Sequence, residues 1–404
     1  MAEWRYVEYQ ELAAQERSSF AMGPFGSKIT KENYKTSGVP VVRGVNLARG
    51  IFLDDQFVFI SNEKADEIAS ANVRPGDLIF THRGTIGQVS MIPRKPRFER
   101  YVIGSSQVKT RLNEKLARPE FYYYWFQSDK GQSSILANTS TVGVPGIATP
   151  LTSIRKLLVP LPPREEQVAL VDVLSALDDK IAVNERVAVA AENLSRALFS
   201  GDSLQARTTV GQIAILRKDQ VAPEVLPSEL VAHYSLPAFD KGAMPDVTNP
   251  RSIRSGKFLI NGNSVLLSKL NPGTPRVWNV APDPRIPALA STEFLVLEPQ
   301  AGVTTAELWT ALSQPQFQST LAAKVTGTSK SHQRVRPQEV MASTILDPRQ
   351  LGPERKQVQT LADRAHRARL ESHTLTALRD ALLPQLMSGK IRVSEAEKIV
   401  KDAV

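Results

Sequence analysis

The feature that most constrains this chain is that it repeats itself once, at a long and nearly constant offset. Gly76-Asp77-Leu78-Ile79-Phe80 returns as Gly262-Asn263-Ser264-Val265-Leu266, and both apolar runs lead into a loop rich in Gly or Pro. Gly104-Ser105-Ser106-Gln107-Val108 returns as Ala290-Ser291-Thr292-Glu293-Phe294, again strand-like in pattern. Pro119 through Trp125 returns as Thr305 through Trp309, each opening an amphipathic helix. The run from Val159 to Gln167 corresponds to Leu346 to Gln357, and Leu198-Phe199-Ser200-Gly201 to Leu386-Met387-Ser388-Gly389. The offset stays between 186 and 190 throughout. Landmarks in one order at one spacing mean two copies of a mixed strand-and-helix module, each closed by a long helix.

The closing helices are the clearest local structure. Pro162 and Pro163 sit where a helix begins, and Glu165 and Glu166 fall in a first turn that the helix dipole favours. Leu170, Leu174, Leu177, Ile181, Asn184, Val187, Ala191, Leu194 and Leu198 follow at spacings of three and four, and Gly201 supplies a stop. The second stripe runs through Val358, Leu361, Ala365, Ala368, Ser372, Leu375, Leu378, Leu382 and Leu386 to Gly389, with Pro384 expected to loosen its last turns. Such helices are about 50 Å long at about 1.5 Å per residue.

Each stripe could face a globular core, but length, matched stops and charge favour pairing of the two helices. Residues 164–196 carry four Lys/Arg against seven Asp/Glu, and residues 353–390 seven against four. Asn184 within the stripe either sets register at a cost in stability or sits at a solvated edge.

Composition bounds the chemistry. A chain of 404 residues, 42% hydrophobic and 23% charged, has the balance of a folded protein of two or three domains. No apolar run spans a bilayer and the first residues lack the core of a signal peptide, so a cytoplasmic protein without membrane contact is expected. There is no cysteine, and no two of the five histidines stand at metal-binding helical spacing, so no metal is expected. A net charge of +9 points to a polyanionic partner.

No catalytic motif stands out. Gly23-Pro24-Phe25-Gly26-Ser27-Lys28 has the wrong spacing for a phosphate loop and reads as a tight turn before a strand. Asn271-Pro272-Gly273 is not an amino-methyltransferase motif, Glu354-Arg355-Lys356 opens a helix rather than lying on a nuclease strand, and no nucleophile elbow is present. The chain reads as a binder. Its candidate nucleic-acid contacts are polar and basic residues of Gly-rich loops: Lys28, Lys31, Lys35, Arg43, Asn46, Thr81, His82, Arg83, Ser140 and Thr141 in the first module. The second module offers Lys241, Arg254, Lys269, Asn271, Arg276, Thr328, Lys330, His332, Gln333 and Arg334.

Val159-Pro160-Leu161-Pro162-Pro163-Arg164-Glu165-Glu166-Gln167, followed by Leu174 through Ile181 and Asn184, resembles the first helical region of type I restriction specificity subunits. Leu382 through Ile391 is similar to the end of their second helical region. Gly76-Asp77-Leu78-Ile79-Phe80 with Gly84-Thr85-Ile86-Gly87 looks like the glycine-rich centre of their target recognition domains. The second module departs from the pattern, with Gly262-Asn263-Ser264 and Asp347-Pro348 where the first has Gly76-Asp77-Leu78 and a Pro-Leu-Pro-Pro run.

The resemblance implies an α/β chain of two tandem mixed α/β target recognition domains, each followed by a long helix, the helices pairing as an antiparallel coiled coil with pseudo-two-fold symmetry. The expected divisions are residues 1–160, 161–201, 202–350, 351–391 and a tail, 392–404. Helix pairing and subunit docking would fall to Leu170, Leu174, Leu177, Ile181, Asn184, Leu194, Leu361, Leu375, Leu378 and Leu382. The implied partners are double-stranded DNA, two methyltransferase subunits and, optionally, two translocase–nuclease subunits. S-adenosylmethionine, ATP and magnesium would be bound by those partners, and adenine methylation would be the reaction directed. A protein-binding coiled-coil scaffold and the specificity part of a fused restriction–methylation enzyme are the alternatives.

Overall fold

The structure is a computed structural model that describes residues 4–25, 28–140, 145–199, 206–325 and 333–403. Thr141, Thr328, Lys330, His332, Gly201 and the side chain of Ser140 lie outside the described residues. The chain divides into two compact units, residues 1–178 with 377–404, and residues 179–376.

The first unit is built on a four-stranded antiparallel sheet in the order Phe20–Met22, Gln107–Thr110, Leu78–Thr81, Val89–Met91. A second sheet runs Val58–Ile60, Val39–Val42, Tyr101–Ile103, Asn72–Val73, and its two middle strands are parallel. Both sheets are made of short β-branched and aromatic runs, and Leu78–Thr81 is buried at every position, as a central strand covered on both faces must be. Helices Pro119–Gln127 and Asp129–Leu136 cover one face. Under them Tyr9 packs its ring edge to face on Phe20, Phe80 and Phe126, with centroids 5.3, 6.1 and 5.2 Å away. Its hydroxyl shares a 2.9 Å hydrogen bond with Thr110 Oγ1, so this buried tyrosine leaves no polar atom unmet.

The second unit repeats the plan. Its first sheet runs Ala214–Arg217, Phe294–Pro299, Ser264–Ser268, Val277–Val280. Its second runs Gln220–Val221, Lys257–Ile260, Ala288–Ala290, Val231–Tyr234, Asp246–Thr248, with one parallel pair in the matching place and one added edge strand. Helix Thr305–Leu312 packs on the first of these sheets, with Pro315–Ala323 beside it. Each module is closed by a two-stranded ribbon, Arg5–Glu8 with Leu158–Leu161 and Arg207–Thr209 with Thr344–Leu346. The repeated landmarks therefore fall on equivalent elements. One detail differs: residues 104–106 and 291–293 are turns, and the strands begin at Gln107 and Phe294.

The long helices span Arg164–Leu198 and Glu354–Met387. Gln167, fully buried, joins the first to its module: Arg118 N donates to Oε1 at 2.8 Å, and Nε2 donates to the Pro162 and Leu116 carbonyls. The second helix runs through Pro384 to Met387, and Gly389, at φ +68°, supplies the left-handed stop.

The two helices pack against each other antiparallel. In the first unit Arg379 donates to Asp178 at 2.7 Å, and the Tyr124 hydroxyl donates to the same carboxylate at 2.7 Å. In the second unit Asn184 Nδ2 donates to Glu371 at 2.9 Å, Lys180 pairs with Glu371 at 3.1 Å, and Arg369 pairs with Glu192. Asn184 is 5% exposed, so the solvated-edge alternative does not hold.

Leu170, Leu174, Leu177, Leu375 and Leu382 are buried, while Ile181, Leu361 and Leu378 are half-buried. Leu194 is a correction. It is 50% exposed, and the buried face instead runs through Asn184, Ala188, Ala191 and Ser195. Small residues on that face meet Ala365 and Ala368 and let the backbones approach, which turns the neighbouring larger side chain outward.

Candidate nucleic-acid interface

In each module, the loops that leave the sheets at one end are joined by the same four backbone hydrogen bonds. In the first module, His82 N donates to Ser106 O (3.0 Å) and Gly104 N to Val42 O (2.8 Å). Ile147 N donates to His82 O (3.0 Å) and Gly84 N to Pro145 O (3.2 Å). In the second, Lys269 N donates to Glu293 O (3.0 Å) and Ser291 N to Tyr234 O (2.9 Å). Val335 N donates to Lys269 O (3.1 Å) and Asn271 N to Gln333 O (2.9 Å). Four separate stretches of chain are thereby held side by side in each module, as a rigid platform for unlike side chains.

This lattice aligns His82 with Lys269, Arg83 with Leu270 and Gly84 with Asn271. The last two both have positive φ, +90° and +50°. The turn needs a left-handed residue there, which glycine supplies freely and asparagine tolerates.

The candidate residues divide sharply once placed. Arg83 stands exposed on this turn. Thr81 and His82 are buried beneath it, and His82 Nε2 lies 3.1 Å from Ser105 O. Burial lowers the His82 pKa below the ordinary imidazole value, against the hydrogen bond to Ser105, so the ring is neutral near pH 7. Arg43 is half-buried, donates to Gln56 O at 3.2 Å and sits beside Gly104.

Asn46 does not belong among the contacts. It is 1% exposed; its Oδ1 accepts from Arg43 N at 3.0 Å and its Nδ2 donates to Asp55 O at 2.8 Å and to Leu53 O. It ties its own loop together. Lys28, Lys31 and Lys35 are exposed, but Lys35 pairs with Phe59 beside an outer strand rather than with the joined loops.

In the second module Lys269, Asn271 and Gln333 are half-buried, and Lys241 and Arg254 are exposed. Arg276 is held by both oxygens of Asp240 at 2.7 and 2.9 Å, and Arg334 by both oxygens of Glu293 at 3.1 and 2.9 Å. These carboxylates raise the pKa of both guanidiniums and cancel much of their field. A sequence reading counts such arginines as free cations because their partners lie 36 and 41 residues away.

Phe25 carries a signal that the sequence hides. Gly23 approaches Gly104 so closely that an added Cβ would lie 1.8 Å from the Gly104 oxygen. The turn that follows strand Phe20–Met22, rather than preceding one, is thereby pressed onto the joined loops. It leaves the Phe25 ring 57% exposed, 6.4 Å from the His82 ring. Among the described residues no group of three or more His, Asp or Glu is placed to hold a metal ion. Among the same residues no helix is long and apolar enough to cross a membrane.

Each unit thus carries a mixed α/β module with a matching loop platform, and each module is closed by a long helix. Comparison with known proteins finds likeness in sequence for part of the chain and in fold for nearly all of it. Residues 23–193 match the sequence model of the type I restriction modification DNA specificity domain. The MjaX type I restriction enzyme specificity subunit of Methanocaldococcus jannaschii is 25% identical over 177 residues, 42% of this chain and 41% of the relative. The chain thus matches about two fifths of the length of that curated relative. The type I restriction-modification S subunit of M. genitalium shares the fold, with a TM-score of 0.56 at 15% identity over 95% of this chain and 96% of the other. Residues 23–193 thus resemble the type I restriction modification DNA specificity domain, and nearly the whole chain shares a fold with a solved S subunit.

Proposed function

We propose that the chain is the DNA-reading subunit of a type I restriction–modification complex and has no catalytic site of its own. Each module reads one half of a bipartite duplex target through its joined loops. The paired helices carry the docking surfaces for two methyltransferase subunits and, where the complex restricts, two translocase–nuclease subunits. S-adenosylmethionine, ATP and magnesium belong to those partners, and the methylated base is adenine. The observation that carries this reading is the loop platform, built twice on one backbone lattice and furnished with different side chains, which suits two unlike half-sites on one ligand. The excess of Lys and Arg supplies the sequence-independent attraction to phosphate.

The test is to delete the gene in its host and read modified bases by single-molecule sequencing. A methylated bipartite motif that disappears with the gene and returns on complementation is expected. An unchanged methylome refutes the proposal. DNA binding by the assembled complex should also fall steeply between about 50 and 200 mM salt, as released counterions require.

A further inference from the structure

The turn that follows the central strand of each module differs between the two copies in the property that matters for reading a base. In the first module it presents Arg83, exposed and in no ion pair among the described residues, on a glycine turn. In the second the arginine position is Leu270, half-buried in a bridge with Arg334, and the glycine position is Asn271. Asn271 occupies a left-handed conformation that glycine would adopt at lower cost, and its Oδ1 is buried with no hydrogen-bond donor among the described residues. A strained backbone and an unmet carbonyl are both unfavourable for folding. Glycine at this position would remove both penalties, as Gly84 does in the first module.

We infer that this turn is a base-reading position in both modules, with Arg83 reading a guanine in one half-site and Asn271 an adenine in the other. The inference rests on the DNA-reading proposal and adds the residues that make the two half-sites differ. A guanidinium fork matches the two acceptors of guanine in the major groove, and a carboxamide matches the acceptor–donor pair of adenine. Arg276 and Arg334 do not compete for this role, because Asp240 and Glu293 hold them in place. An Asn271 amide turned outward by the duplex would exchange an unmet buried oxygen for a pair of hydrogen bonds.

The experiment places Arg83→Ala and Asn271→Gly separately in the host chromosome and reads the methylated motif of each strain. Arg83 is exposed and glycine suits φ +50°, so both variants should fold, the assembled complex melting as wild type for Arg83→Ala and no lower than wild type for Asn271→Gly. The expected result for Arg83→Ala is roughly ten- to a hundredfold weaker preference at one guanine of one half-site, with the other half-site intact. Asn271→Gly should do the same at one adenine of the opposite half-site. An unchanged motif, relaxation in both halves by one variant, or uniformly weaker methylation with full specificity (the mark of a phosphate contact) overturns the inference. A wild-type methylome independent of this gene overturns the DNA-reading proposal instead, and the inference with it.

Discussion

Lys109 shows how a single side chain can carry a cost that the fold absorbs. It lies on the central strand Gln107–Thr110, is 1% exposed, and donates through Nζ to the Asn72 carbonyl. Burial, with Arg111 close by, pushes its pKa down to about 8. Below pH 8 the ammonium is charged in both folded and unfolded chains, so the desolvation cost is felt in full. Between pH 8 and about 10.5 the folded chain has lost the proton and the unfolded chain keeps it, so stability from this group rises with pH. Relative to Lys109→Met, the wild-type first unit should therefore gain stability across that window, by about 3 kcal/mol at most. Urea denaturation of both proteins at a series of pH values measures this; a constant difference from pH 7 to 10.5 refutes it. The same residue marks a limit of sequence reading. Nothing in Gln107-Val108-Lys109-Thr110 shows that both faces of the strand are covered. Arg276 and Arg334 were opaque for a related reason, since their partners come from segments that only tertiary structure brings near, whereas Asn46 is hidden by the way its own loop closes over it.

At the scale of elements the sequence was far more readable. Two copies of a module, the repeated landmarks within them, and both long helices, the first with its Pro162-Pro163 start, follow from periodicity and a constant offset. What periodicity could not decide was which of two adjacent lines on a helix faces inward. Val187-Ala191-Leu194 and Ala188-Ala191-Ser195 both run at spacings of three and four, and hydrophobicity favours the first. The structure buries the second, because alanine against alanine brings the helices close enough for Asn184, Lys180 and Glu192 to reach their partners. Exchanging the residues on these lines separates the two descriptions. Leu194→Ser should change stability by no more than about 0.5 kcal/mol, as at an ordinary surface position. Ala188→Leu should destabilise by about 1–3 kcal/mol through overpacking. Thermal or chemical denaturation of both variants gives the answer, and the opposite ranking restores the Leu194 stripe.

For the whole molecule, both long helices contribute residues to both units, so on the proposed reading of a bipartite target their length would set the spacing of the two half-sites. The antiparallel contacts define which stretches lie opposite. Asp178 meets Arg379 and Glu192 meets Arg369, with Lys180 and Asn184 meeting Glu371 between them. Removing residues 179–185 together with 370–376 deletes facing segments of seven residues and retains the Asp178–Arg379 and Glu192–Arg369 pairs. Seven residues are close to two helical turns, so the remaining apolar line stays on one face, rotated by only about 20°. The pair shortens by about 10 Å, which corresponds to about three base pairs at about 3.4 Å each. B-DNA turns once in about 10 base pairs, so a shift of three would carry a half-site well around the duplex, and torsion in DNA and protein opposes the full change. The number of unspecified bases between the methylated half-sites should therefore fall by one to three, while both half-site sequences stay as they were. Sequencing the methylome of a host carrying the deletion measures that number directly. A folded variant whose complex still methylates at the original spacing shows that another element sets the distance.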